Sequence, residues 1–155
     1  MDLQRRNISG HSLLELVIVL MIVGIMATAA APIFRQSLIH QRVESAARRL
    51  KIDLELVQRH AKSRGTSQTI SFDLTTSSYN LPEEADLNRP SETYTVDLRQ
   101  TPYAVAILTT DLDEPAQIVF DGYGLPDQSA TFRIGTTSQY LDIVVDGQTG
   151  QIRIQ

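Results

Sequence analysis

The hydrophobic pattern of this 155-residue chain changes period twice. From Leu13 to Phe34 almost every position is apolar, and the nineteen residues 16–34 carry no charge. At about 1.5 Å per residue that run makes a helix of about 28 Å, close to the thickness of bilayer hydrocarbon. The run is apolar all round rather than on one stripe, which favours a membrane span over a buried soluble helix. From Phe34 the pattern becomes a stripe: Leu38, Val43, Ala46, Ala47, Leu50, Leu54, Val57 and Ala61 recur at steps of three to five, the spacing of an amphipathic helix. Glu44 with Arg48, and Glu55 with Arg59, stand in the favourable order for i,i+4 ion pairs. Gly65 follows Lys62 and Arg64 as a stop signal. One helix is predicted over about residues 12–64, with a kink near Pro32.

Beyond Gly65 the period becomes two. Residues 69–74 (TISFDL) align Ile70, Phe72 and Leu74 on one face, and residues 93–98 (TYTVDL) align Tyr94, Val96 and Leu98. Similar short runs predict strands at 103–108, 117–121, 130–134, 140–145 and 151–154. Asp121-Gly122-Tyr123-Gly124 and the stretch from Asp146-Gly147 to Gly150 supply turns. Residues 81–92 (LPEEADLNRPSE), with two prolines and four acids, predict an exposed loop. The fold class is α+β: a long N-terminal helix packed on a small antiparallel β domain.

Charge divides the chain the same way. Residues 1–32 balance to zero. Residues 33–64 set eight basic groups against Glu44, Asp53 and Glu55, a net of +5, and residues 65–155 carry a net of -9. An acidic domain repels nucleic-acid phosphate. There is no cysteine, so disulfides and thiolate metal sites are excluded.

One residue resists this pattern. Glu15 sits near the start of the apolar run, where a charge costs up to about 3 kcal/mol in lipid and usually has a partner. A cleaved secretory signal (Arg5 and Arg6, then Ala29 and Ala31 as an A-x-A site) would be interrupted by Glu15 and would leave Pro32 at the new N-terminus. A plain anchor leaves Glu15 unexplained. The third reading rests on order: a short basic leader ending at Gly10, then His11, Ser12, Leu13, Leu14, Glu15, the apolar run and Pro32. This resembles the signal of type IV pilins and type II secretion pseudopilins. The resemblance implies cleavage after Gly10 by a prepilin peptidase and methylation of the new N-terminus on His11, where the family usually has phenylalanine. It also implies Glu15 as an assembly residue and Pro32 as the helix kink. The segments are then residues 1–10 (leader), 11–34 (transmembrane half of the helix), 35–64 (amphipathic half) and 65–155 (periplasmic β domain).

The freed amine of His11 would lie about 6 Å along the helix from Glu15. Glu15 of one subunit meeting the amine of a neighbour would set axial register, as a buried polar group does in a coiled coil. Basic residues after the span outnumber those before it. The positive-inside rule is weak for long translocated domains, so the signal decides orientation: N-terminus cytoplasmic, β domain periplasmic.

The order of helix then strands, ending IVFDGYGLPDQSATFRIG and LDIVVDGQTGQIRI, resembles the GspH/FimT class of minor pseudopilins. The function implied is that of a structural subunit of a type II secretion pseudopilus, with a FimT-like pilin of a type IV pilus or a soluble exported binding domain as alternatives. The expected partners are the prepilin peptidase, other pilins or pseudopilins and inner-membrane lipid. No enzyme signature is present and no cofactor is expected. His40 and His60 lie about 30 Å apart on one helix, too far to share a metal. Asp111, Asp113 and Glu114 are close enough in sequence for calcium but lack EF-hand spacing, and read first as an acidic turn. Some FimT-like pilins bind DNA through a basic C-terminal hairpin. Here a single Arg153 in a domain of net -9 argues against nucleic acid.

Overall fold

The computed structural model describes residues 12–86 and 89–155, and gives backbone only for 28–33. The expected sites Gly10 and His11 therefore lie outside the described residues, as does the side chain of Pro32. The predicted helix is present as α1, Leu13–Arg64. The chain forms two compact units, Met1–Leu38 and Ile39–Gln155, and α1 contributes to both.

In the first unit the described large apolar side chains, from Leu13 (79 % exposed) to Met26, are uncovered, as are Phe34 and Leu38. Such a helix needs an apolar medium or neighbouring helices. Among the described residues no helix is long and apolar enough to cross a membrane. The described side chains of the run stop at Ala27 and resume at Phe34.

In the second unit α1 buries the stripe Val43, Ala46, Ala47, Leu50, Leu54, Val57 and Ala61. Two adjacent alanines have no bulk beyond Cβ, so the β layer can approach the helix closely. The described strands are β1 (Gln68–Asp73), β2 (Ser78–Ala85), β3 (Thr93–Asp97), β4 (Ala106–Thr110), β5 (Gln117–Phe120), β6 (Ala130–Gly135), β7 (Tyr140–Val145) and β8 (Ile152–Ile154). They pair antiparallel in two sheets, ordered β3-β2-β1-β5 and β4-β6-β7-β8. Phe72 of β1 and Phe132 of β6 join the sheets, with ring centroids 4.4 Å apart. Aspartates start the turns. Asp73 Oδ1 accepts the amides of Thr75 and Thr76, Asp121 Oδ1 those of Tyr123 and Leu125, and Asp146 Oδ1 those of Gln148 and Thr149.

One element departs from expectation. The stretch predicted as a loop from residue 81 begins inside β2, where Tyr79 and Leu81 are buried. Pro82 is tolerated there because β2 pairs with β1 only at Ser78 to Asn80, and its register with β3 is interrupted between Leu81 and Ala85. A missing N–H costs nothing where no ladder bond is made. The strand expected at 103–108 begins later, at Ala106. Before it, the amides of Tyr103 and Ala104 both bond the Gln100 carbonyl in a turn.

Candidate functional site

The start of α1 carries the residue that the sequence singles out. Ser12 precedes the first helical residue, its carbonyl accepts the Leu16 amide at 3.2 Å, and exposed Glu15 lies in the first turn. Ser12 and Glu15 thus have the S-x-x-E spacing of a capping box, and a carboxylate there also meets the positive end of the helix dipole. Glu15 therefore has a local role available besides the intersubunit role expected of it.

A second cluster lies where α1 meets β2 and β3. Asp53 falls on the apolar stripe and is 2 % exposed. Its Oδ2 accepts the Tyr79 hydroxyl at 2.6 Å, the Tyr94 hydroxyl at 3.1 Å and Arg49 Nε at 3.1 Å. Arg49 Nη2 also bonds the Tyr94 hydroxyl. One carboxylate thus ties the helix to two neighbouring strands. Burial first, and the Asp53 charge second, push the Tyr79 phenol far above its ordinary value. The same causes push Tyr94 up to about 12. Both phenols stay protonated and donate to Asp53.

Further along the helix, Gln58 Nε2 donates to the carbonyls of Gly124 at 2.8 Å and Gly150 at 2.9 Å. One side-chain amide holds two turns that are far apart in sequence. At the end of α1, His60 Nδ1 meets Glu84 Oε1 at 2.5 Å and Arg64 Nη2 reaches the same oxygen at 2.9 Å. These contacts fasten β2 to the helix terminus. On the other sheet Arg133 makes two 2.8 Å bonds to Asp142, its cross-strand partner, and stacks over Tyr140 at 4.1 Å. The Arg133 hydrogen bond is the main cause that holds the Asp142 carboxyl below the usual range.

Glu44 and Arg48 pair at 2.6 Å, as expected. Glu55 pairs with Lys51 at 3.7 Å rather than with Arg59. His60 bonds Glu84. Asp111 accepts the Thr131 amide at 2.6 Å. No group of three potential metal-binding side chains comes together among the described residues. Neither the Asp53 network nor the Gln58 clamp is among the expectations drawn from the sequence. Asp53 had a signal, a carboxylate on the buried stripe. Gln58 had none, because its partners are backbone carbonyls.

Comparison with known proteins places this architecture. Residues 5–31 match the prokaryotic N-terminal methylation motif, and residues 46–149 match the type II transport protein GspH. Among solved structures, the minor pseudopilin EpsH from the type 2 secretion system of Vibrio cholerae aligns with a TM-score of 0.56 at 15 % identity. That alignment covers 74 % of this chain and 96 % of that one. The type IV minor pilin FimU of Pseudomonas aeruginosa aligns with a TM-score of 0.54 at 18 % identity, covering 75 % and 90 %. At these identities the likeness concerns the fold. No curated protein matches the sequence.

Proposed function

We propose that this chain, which belongs to the GspH family of type II transport proteins, serves as a minor pseudopilin processed at Gly10 and assembled into a filament through the first part of α1. The observation that carries the reading is the pairing of two parts in one chain. One is an uncovered apolar helix with Glu15 in its first turn; the other is a β domain of the GspH type. The methylation motif spans Gly10, His11 and Glu15. Cleavage after Gly10 and methylation of His11 would create the amine that Glu15 of a neighbouring subunit neutralises. The uncharged run 16–34 would hold the subunit in the inner membrane, with residues 65–155 in the periplasm.

A helix and a small head with structural rather than reactive side-chain clusters suit an architectural part. An ATPase elsewhere would supply the work of assembly. The FimU likeness, nearly equal to that of EpsH, supports a second reading as a minor pilin of a type IV pilus. The GspH match favours the first.

Glu15→Gln is the decisive substitution. Glutamine at the third helical position still completes a capping box, but it carries no charge. In cells with a prepilin peptidase, the mature N-terminal peptide of the wild type should lack residues 1–10 and carry a methyl on His11. Glu15→Gln and Glu15→Ala should both insert into the membrane and both fail to enter filaments. Normal assembly of Glu15→Gln beside failure of Glu15→Ala would reduce Glu15 to a helix cap. A product beginning near Pro32, or an intact Met1, would end the filament reading.

A further inference from the structure

In an acidic head, one open groove is lined by three cations and a single carboxylate, Glu55, whose charge is met by Lys51 at 3.7 Å. Arg59 loses its expected partner because Glu55 pairs with Lys51 instead. Among the described residues neither Arg59 nor Lys62 has a carboxylate within 4.0 Å. Arg153 bonds the neutral Gln151 side chain, and its charge is felt by the Asp146 carboxylate without a direct ion pair. Arg59, Lys62 and Arg153 all line a groove of about 500 Å³ between α1 and the turn leading into β8. Its geometry is held from beneath. Gln58 donates to Gly124 and Gly150 together, and buried Ile152 also lines the groove. Gly150 has φ +66°, and a Cβ there would come within 2.6 Å of Gln58 Nε2, so the turn approaches the helix as glycine permits. Gly124 lies under the Lys62 stem, and Tyr123, one residue before it, is 84 % exposed. Arginine in a preformed groove is what protein interfaces concentrate.

We propose that this groove is a docking site for an acidic polypeptide segment of a partner protein, whose carboxylates pair with Arg59, Lys62 and Arg153. Charge selects the occupant. Residues 65–155 carry a net of -9, and a duplex, charged along its whole length, would meet that field beyond the groove. A short acidic segment places its carboxylates only where the cations are. Screening over about 8 Å at physiological salt separates it from the rest of the head. The groove carries the same charges whichever secretion or pilus machine the chain serves.

The test uses the full chain in detergent micelles with three fluorescent probes: a glutamate octapeptide, a lysine octapeptide and a short DNA duplex. The glutamate probe should bind and be released by salt. Arg59→Glu with Lys62→Glu should weaken it about tenfold or more, about 1.4 kcal/mol. Arg99→Glu, a charge reversal outside the groove, should leave binding almost unchanged. Should the double variant unfold, Arg59→Gln with Arg153→Gln replaces it, with the same expectation in direction. Four results would overturn the proposal. The wild type fails to bind the glutamate probe. Arg99→Glu weakens binding as much as the groove variants do. Duplex DNA binds and the groove variants release it, which marks a polyanion surface. The wild type self-associates and the groove variants do not, which makes a second copy the occupant.

Discussion

Replacing Asp53 by alanine removes one acceptor from three donors, and the cost can be worked out donor by donor. Tyr79 is 1 % exposed, and its hydroxyl has Asp53 as its described acceptor at 2.6 Å. A buried donor left without a partner costs about 1–3 kcal/mol. Tyr94 is half-buried and recovers part of its loss from water. The Arg49 side chain is 41 % exposed, so its guanidinium re-solvates and its share is small. The sum is about 3 kcal/mol, at the lower end of what breaking a buried pair costs. That is a large part of the stability of a domain this size. The assay is chemical denaturation of the full chain in mild detergent, followed by circular dichroism. Two controls give the sign. Asp53→Asn keeps an acceptor and loses the charge, so it should fall between wild type and Asp53→Ala. Asp53→Ala with Tyr79→Phe removes the orphaned hydroxyl and should be more stable than Asp53→Ala by about 1 kcal/mol. Strict additivity of the two changes, or a loss below about 1 kcal/mol for Asp53→Ala, would refute the reasoning.

Two further outcomes can be checked the same way. Tyr79 has a phenol raised above its ordinary value, first by burial and then by Asp53. Its contribution is complete below about pH 10, the unfolded tyrosine value, and declines as pH rises toward the folded value. Wild type should lose stability above that pH, and Tyr79→Phe should flatten the slope; equal slopes would contradict the network. Gly135→Ala should lower the thermal midpoint sharply. A Cβ there would fall on the Gln139 carbonyl oxygen and 2.6 Å from Tyr140 Cα, and backbone cannot swing aside. An unchanged midpoint would show that the β6–β7 connection has slack.

Periodicity reached the helix within a residue or so, because a stripe repeated over many turns outweighs any local accident. It missed β2, where a two-residue alternation, Tyr79 and Leu81, is cut short by Pro82 and followed by acids that suggest a loop. The basic groove was hidden by counting charge along the chain. Arg59 and Lys62 belong to the basic middle and Arg153 to the acidic end, and the fold brings them together. The Glu55–Arg59 pair failed because Lys51, one turn earlier, competes for the same carboxylate. Asp53 was visible as a carboxylate on the buried stripe between Leu50 and Val57, but its partners lie 26 and 41 residues away and only the fold supplies them.

The fastenings of α1 within the head also have a mechanical meaning. Asp53, Gln58 and the His60–Arg64 pair sit at successive turns, and each grips a different piece of the β layer: β2 and β3, the two glycine turns, and the end of β2. A pull on this part of the helix is therefore divided among several attachments spaced along it rather than carried by one. Losing any one of them leaves the β layer still held to the helix by the others.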